Sequence, residues 1–273
     1  MPSWRERLTS RGRIVIAWES GPAGCKLSAL DAWTGASAWE LQFAPESLVD
    51  VDAGRLAAVM ERAGRIAVID LATGRFVVDD DDALPRKADE IHLLAGSDAL
   101  VIAVSQNAPR RPERRIALFN QFDYPTINGD LYVYDRASGA MRWNQPAQLS
   151  QQALMQTQGV DLPVIVFAST LNRVDKGGSR ASATMLVLDK ATGRTLFRSD
   201  ELNAAAAGYC QPQVASDAQH VVAIEMSSST LSLRFTDAPR PPIPPSMAEV
   251  EANDSESRQG LNNLLRRAFE AVD

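Results

Sequence analysis

The feature that most constrains this 273-residue chain is a five-residue pattern, Asp-x-x-Thr/Ser-Gly, that occurs four times. In each copy an apolar run precedes the Asp, and a second strand-like run follows the Gly. Four copies in one register predict a structural repeat. The four turns, each with the large or apolar residue eight positions after its Asp, are Asp31–Gly35 with Trp39, Asp70–Gly74 with Val78, Asp135–Gly139 with Trp143, and Asp189–Gly193 with Phe197.

The chemistry of this pattern predicts a tight β-hairpin. An Asp side chain accepts a hydrogen bond from the backbone N–H two residues on, and a Thr or Ser hydroxyl does the same more weakly. Gly enters the left-handed conformation that closes a short hairpin loop. We therefore interpret the four Asp residues as turn formers, in preference to metal ligands or acids.

The apolar alternation around these turns predicts an all-β fold. The four Asp residues are 39, 65 and 54 positions apart, and a unit of about 40 residues with four strands is typical of a β-propeller blade. The predicted strands, grouped by blade, are 14–18, 26–30 and 38–43; 48–51, 55–60, 65–69 and 76–78; 91–94, 99–104, 131–134 and 140–144; 149–155, 163–168, 184–188 and 195–198; and 213–215, 221–226 and 231–235.

These groups amount to four to five four-stranded blades, and they do not make up a closed ring of complete blades. The first group lacks its innermost strand, and the last lacks its outermost strand. Because closure is what removes the sheet edges of a propeller, we predict an incomplete ring, or the C-terminal part of a larger propeller. A protein partner or missing blades would complete it. The blades span residues 1–237, and residues 238–273 are predicted to form a Pro-rich linker and a short amphipathic helix, either a packed tail or a docking helix.

The stretch Ala29–Trp39 resembles the repeat of PQQ-like, or quinoprotein dehydrogenase-like, β-propellers, Ala-x-Asp-x-x-Thr-Gly-x-x-x-Trp. The copy from Tyr134 to Trp143 matches it nearly as well, and the resemblance covers roughly residues 14–236. It implies that Trp39 and Trp143, with Phe197 at the equivalent position, dock between neighbouring blades. For the enzymes of this family it also implies PQQ, a calcium ion and a catalytic Asp. No such ligand set can be assigned here.

Fold does not decide function in this family, because enzymes and assembly factors share the architecture. The sequence offers no assignable catalytic, cofactor-binding or metal-binding residues. This favours a protein without enzyme activity. We expect a non-catalytic repeat domain that serves as a protein-interaction or scaffold module within a larger protein and that needs no cofactor. Two alternatives are a fragment of a PQQ-dependent dehydrogenase with its active site on missing blades, and a domain that binds a small molecule or glycan on the face that carries the loop insertions.

Two long interruptions, residues 105–130 and 169–183, fall at the same loop position in neighbouring predicted blades. They would therefore emerge on one face, opposite the Asp-Gly turns. Arginine clusters suit carboxylate or phosphate partners, although mobile solubilising loops are the alternative. The acidic run Asp79–Asp82 is interpreted as a solvated loop beside this face. The candidate partner-binding residues are Arg110, Arg111, Arg114, Arg115, Arg173, Lys176 and Arg180.

Composition narrows the class of protein further. The net charge of -6 argues against nucleic-acid binding driven by global charge. No run approaches the roughly 18 apolar residues that a membrane-spanning helix needs. Cys25 and Cys210 leave the redox compartment open. We expect a cytoplasmic location if Met1 is the true start, and a periplasmic or extracytoplasmic one if the chain belongs to a longer exported protein.

Overall fold

The structure is a computed structural model of the chain, and it describes most of the first 234 residues. The described ranges are 5–11, 14–21, 23–51, 55–81, 88–106, 115–116, 125–155, 158, 161–175, 178–203, 210–214, 221–226 and 229–234.

The described residues form nineteen strands in five sheets, and the prediction of an all-β fold is confirmed. Every strand pair with a defined register is antiparallel. Sheet I contains β1 (Arg5–Arg11), β2 (Ile14–Gly21), β3 (Gly24–Asp31) and β4 (Ser37–Phe43). Sheet II contains β5 (Leu48–Val51), β6 (Leu56–Met60), β7 (Ile66–Asp70) and β8 (Arg75–Asp80).

The remaining strands form three further sheets. Sheet III has the order β13 (Ala147–Ala153), β12 (Thr126–Asp135), β10 (Ala99–Ser105) and β9 (Glu90–Ala95). Sheet IV has the order β11 (Arg115–Ile116), β14 (Val164–Asp175), β15 (Gly178–Asp189) and β16 (Thr195–Asn203). Sheet V contains β17 (Cys210–Val214), β18 (Val221–Met226) and β19 (Ser229–Arg234).

The chain divides into two compact units. The first contains sheets I to III together with the turn Asp189–Gly193, and the second contains sheets IV and V apart from that turn. Within the described parts of both units, no helix is long and apolar enough to cross a membrane.

Sheets I to III pack through two apolar cores that share sheet II. Ala57 and Ile69 of sheet II pack in the core with sheet I, whereas Leu56 and Val68 pack in the core with sheet III. All five residues of β6 are buried, which explains why that strand is a continuous apolar run instead of an alternating one. At about 25 cal/mol per Å² of buried apolar surface, such cores supply the main favourable term in folding.

The prediction that the first group lacks a strand is wrong, because β1 completes sheet I. Residues of β1 pair with β2 from Arg5 opposite Ser20 to Arg11 opposite Ile14. The β1 sequence contains a single strongly apolar residue, Leu8, so apolar alternation does not mark it. Backbone pairing alone defines the strand.

The outer strand of the third group was also predicted at the wrong place. Residues 140–144 form one bridge, at Met141 to Tyr134, and then bends, and β13 begins at Ala147. Pro146, which has no N–H to donate, stands just before β13. Consequently the predicted first strand of the fourth group, 149–155, lies mostly in sheet III, and β11 occupies the edge of sheet IV next to β14.

The predicted interruption at 169–183 is largely strand. β14 continues to Asp175 and β15 starts at Gly178, so two residues separate them. The two strands are neighbours in sheet IV, so strand pairing extends through most of a segment whose polar character marked it as an interruption. Strand β8 likewise includes Asp79 and Asp80, so the prediction of a loop is wrong for these two residues, whereas Asp81 is an exposed turn residue and Asp82 lies outside the described residues. The predicted C-terminal linker and helix lie outside the described residues.

Candidate functional site

The four repeated turns share one hydrogen-bonding geometry. In each, the Asp Oδ1 accepts bonds from the backbone N–H groups two and three residues on, over 2.8–3.1 Å. The Gly N–H donates to the Asp carbonyl over 2.8 Å in every copy. The four glycines have φ between 69° and 73°, in the left-handed region that favours Gly. The turn glycines are Gly35, Gly74, Gly139 and Gly193.

In the third turn these bonds favour the ionised carboxylate. The backbone N–H of Ser138, the side chain of Arg142 and the Ser138 hydroxyl together lower the pKa of Asp135 to about 2. Arg142 Nη2 lies 2.9 Å from Asp135 Oδ2. The charged side chain of Asp135 therefore stabilises its own turn and binds the neighbouring Arg142.

A lowered pKa makes the turn sensitive to acid. The folded-state pKa of Asp135 lies below its unfolded value near 3.9, so its contribution is complete above about pH 4 and disappears as the pH falls through about 2. We expect the urea midpoint to fall less steeply between pH 4 and 2 in Asp135→Asn than in the native chain. Asn keeps the turn geometry without a titrating group, and parallel pH profiles would contradict this assignment.

Trp39 docks from sheet I onto the second turn. Its indole Nε1 donates to the Leu71 carbonyl over 3.2 Å. A Cβ at Gly74 would lie 2.7 Å from Trp39 Cγ, so the ring rests directly on that glycine. The turn therefore provides a carbonyl acceptor and a flat glycine surface for an indole.

Trp143 makes the same contact with the fourth turn, which belongs to the same compact unit. Its Nε1 donates to the Lys190 carbonyl over 3.1 Å, and a Cβ at Gly193 would lie 2.8 Å from Trp143 Cδ2. The third turn is contacted from sheet II, where the residue eight positions after Asp70 is Val78 instead of a tryptophan. Here the backbone of β8 itself lies against the turn glycine. A Cβ at Gly139 would lie 2.4 Å from the Val77 carbonyl oxygen.

A bulge precedes the docking position in three of the sheets. The ladder shifts between Ala29 and Leu30 in sheet I, at the equivalent point in sheet II, and again in sheet IV. One extra residue therefore stands just before Trp39, Val78 and Phe197, and bulges of this kind re-aim the following side chain. Phe197 pairs with Val187 in sheet IV and is half-buried, and its docking role stays a prediction.

A charged network lies beside the third and fourth turns. Lys190 is 4% exposed, and its Nζ lies 2.9 Å from Asp98 Oδ1. Arg142 Nη1 donates to the other Asp98 oxygen, also over 2.9 Å. Burial acts to raise the pKa of Asp98, but the bonds from Lys190 and Arg142 outweigh it and leave the pKa lowered. This network cross-links segments 92 positions apart, and nothing in the local sequence marks Lys190 as buried.

A cleft of about 480 Å³ opens between the end of β8 and the bends after the third turn. Tyr132 and Tyr134 line it, with ring centroids 6.4 Å apart. Tyr134 Oη donates to Asp80 Oδ2 over 2.7 Å, and burial together with this bond raises the pKa of the tyrosine. Among the residues that the structure describes, no three His, Cys, Asp or Glu side chains are grouped to hold a metal ion.

The predicted basic face falls largely beyond the described residues. Arg110, Arg111, Arg114 and Lys176 lie outside them, and Arg115, Arg173 and Arg180 are placed only as backbone positions in β11, β14 and β15. The face therefore stays a prediction. The neighbouring acidic residues are not free, because Asp79 accepts a 2.7 Å bond from Arg65 Nε and Asp80 binds Tyr134.

No family model and no curated protein matches the chain. Among solved structures, the chain is similar to the computationally designed Ika8 protein, at 14% identity over 84% of this chain and 57% of that one, with a TM-score of 0.37. It is similar to BamB from Moraxella catarrhalis at 15% identity over 84% and 70%, with a TM-score of 0.33. It is also similar to a complex of KlAtg21 with the coiled coil of AgAtg16, at 10% identity over 84% and 83%, with a TM-score of 0.34.

Proposed function

We propose that the chain is a non-catalytic repeat domain of the PQQ-like β-propeller type, and that it serves as a protein-interaction or scaffold module in a larger assembly. One observation carries this proposal. The four turn Asp side chains bond the backbone of their own turns, and Trp39 and Trp143, eight positions after their Asp, dock on the second and fourth turns. The repeat serves architecture, and recognition is left to surfaces that differ between copies.

Support for a binding role comes from the first turn. Trp33 is 83% exposed in the Asp31–Gly35 turn. Tryptophan is enriched among the residues that dominate protein–protein binding energy, because it combines a large apolar surface with a hydrogen-bond donor. An exposed indole on a rigid, hydrogen-bonded turn is preorganised for contact with a partner.

An oxidation assay tests the non-catalytic part of the proposal. The full chain, supplied with PQQ and calcium, is expected to give no dye-linked oxidation of alcohols or sugars above the protein-free control. An active PQQ dehydrogenase assayed in parallel shows that the cofactor and dye are competent. Turnover that depends on both PQQ and the chain would overturn the scaffold proposal in favour of a quinone-dependent oxidoreductase.

A charge-reversal variant tests the basic face as the partner surface. Arg111, Arg114, Arg173 and Arg180 are replaced together by Glu, and co-purifying proteins are compared with those of the native chain. We expect the variant to lose acidic partners, since arginine clusters bind carboxylate and phosphate groups. Retention of the same partners would remove this face from the proposal.

A further inference from the structure

The cleft between the end of β8 and the bends after the third turn has the size of a small-molecule site. Its volume is about 480 Å³, within the roughly 300–1,000 Å³ that ligand pockets usually have. A cleft of this size holds one small molecule and is too small for a folded partner. The chemistry of its floor and two walls indicates which class of molecule fits.

Two tyrosines form the floor of the cleft. Tyr132 and Tyr134 line it, yet they are only 2% and 0% exposed, and their ring planes lie 11° from parallel. Both rings belong to the apolar core that sheets II and III share. Because close-packed core side chains are held in fixed rotamers, the floor has a defined shape, and a ligand does not have to order it on binding.

The first wall, at the end of β8, carries carboxylates. Asp80 Oδ2 accepts the Tyr134 hydroxyl over 2.7 Å, which fixes that carboxylate beside the floor. Arg65 Nε binds Asp79 Oδ1 at 2.7 Å, and the Asp79 side chain is still 44% exposed. The described residues that line the cleft include no Lys, Arg or His side chain. This wall therefore favours a cation and disfavours an anion.

The second wall follows the third turn and is apolar where it starts. Ala140 and Met141 line it first, and Pro146 closes it at the start of β13. Small and apolar side chains of this kind suit the body of an organic ligand, and the thioether of Met makes favourable contacts with aromatic rings. The exposed amides of Asn144 and Gln145 add hydrogen-bonding groups at the rim.

Contacts outside the cleft hold the second wall in place. Trp143 donates to the Lys190 carbonyl over 3.1 Å. Arg142 binds Asp98 and Asp135, each over 2.9 Å. Neither Trp143 nor Arg142 lines the cleft, so these bonds fix the bends without using the groups that would meet a ligand. Both walls are thus preorganised, which lowers the cost of binding.

The third turn also differs from its equivalents in the residue that faces it. The second and fourth turns are each covered by an indole, whereas Gly139 of the third turn lines the cleft. At the docking position of sheet II stands Val78, which is smaller than Trp by most of an indole ring. The smaller side chain is consistent with an unfilled cleft beside this turn, and a single aromatic ring has a suitable size for it.

We propose that this cleft binds a small arylalkylammonium ion, that is, an aromatic ring joined to a primary ammonium group by a short alkyl chain. The ammonium binds the carboxylates of Asp79 and Asp80 through charge-assisted hydrogen bonds, which are stronger than neutral ones. The ring lies on the apolar wall against Met141 and Pro146. The site goes beyond the scaffold role and does not depend on it, because it needs no partner protein.

A titration with matched ligands tests the site. The ¹⁵N-labelled full chain is titrated at pH 7 with tryptamine, with tryptophol, in which a hydroxyl replaces the ammonium, and with indole-3-acetate, which carries a carboxylate. With tryptamine we expect saturable shifts of the amide signals of Gly139, Ala140 and Asn144. Tryptophol is expected to bind at least tenfold more weakly, and indole-3-acetate is expected to produce no saturable shifts.

Asp80→Asn tests the charged wall. The amide oxygen of Asn still accepts a hydrogen bond, so the Tyr134 hydroxyl keeps an acceptor. We expect this variant to bind tryptamine at least tenfold more weakly than the native chain does, while its affinity for tryptophol changes less than twofold.

Ala140→Leu narrows the cleft without touching the carboxylates. The position after the turn glycine holds Arg75 and Arg194 in the second and fourth copies, so the turn is compatible with a large side chain. Ala36→Leu, at the same position of the first turn, is the matched control. We expect Ala140→Leu to weaken tryptamine binding at least tenfold and Ala36→Leu to leave it native, with both melting temperatures close to native.

The outcomes separate this site from the proposed scaffold function. Absence of saturable shifts, equal affinity for tryptamine and tryptophol, or native tryptamine affinity in either Asp80→Asn or Ala140→Leu would overturn the site. Each of these results would leave the scaffold proposal intact, because the oxidation assay and the charge-reversal experiment do not involve the cleft. PQQ-dependent turnover would instead overturn the scaffold proposal whatever the titration shows.

Discussion

Replacing Trp143 with Ala is expected to lower the free energy of unfolding by about 3 to 5 kcal/mol, the range for large aromatic residues removed from a core. The indole is 4% exposed and packs on Gly193, and its N–H satisfies the Lys190 carbonyl. The substitution therefore leaves both a cavity and an acceptor without its donor. Urea unfolding followed by far-ultraviolet circular dichroism measures the loss.

Two matched variants separate docking from general effects of losing a tryptophan. Trp33→Ala removes an indole that is 83% exposed in an equivalent repeat, and we expect a change within about 0.5 kcal/mol. Trp143→Phe keeps most of the packing but removes the N–H, and we expect a loss of about 1 kcal/mol. Equal losses for Trp143→Ala and Trp33→Ala would contradict the docking role of Trp143.

Gly139→Ala is expected to destabilise the chain by about 3 kcal/mol. A non-glycine residue in the left-handed region costs about 1–2 kcal/mol, and overpacking adds typically 1–3 kcal/mol. Both terms apply, because Gly139 has a φ of 72° and its added Cβ would lie 2.4 Å from the Val77 carbonyl oxygen. That oxygen belongs to the backbone of β8 and cannot move as a flexible side chain would.

Gly35→Ala is the matched control for this substitution. Gly35 has nearly the same φ, 69°, but its added Cβ meets no atom within 4 Å. We therefore expect about 1–2 kcal/mol from backbone strain alone. The difference between the two losses in unfolding free energy measures the contact between the third turn and β8. Equal losses would show that this turn does not dock on β8.

The sequence identified the four turns because their chemistry is local. An Asp that binds the next N–H groups and a Gly with positive φ act within five residues, so the pattern alone specifies them. The strands of sheet II were also predictable, since β6 and β7 are apolar and closely bounded by turns.

Features that depend on distant partners could not be read from the sequence. β1 has one strongly apolar residue and exists through its ladder with β2. The burial of Lys190 depends on Asp98, which lies 92 positions away. The four-residue acidic run looked like a solvated loop, yet Asp79 pairs with Arg65 and Asp80 accepts a bond from Tyr134. In each case a tertiary contact, invisible in a local window, determines the structure.

The repeat thus has two consequences for function. It places apolar sheets face to face with aromatic residues on neighbouring turns, and it leaves the first turn with an exposed indole and an open glycine surface.

Hydrogen exchange of the indole N–H groups tests the central claim most directly, namely that the repeated turns hold docked tryptophans and that the first turn is open. We predict slow exchange for the indoles of Trp39 and Trp143, which are hydrogen-bonded to turn carbonyls, and fast exchange for exposed Trp33. Exchange of the Trp143 indole as rapid as that of Trp33 would contradict the account.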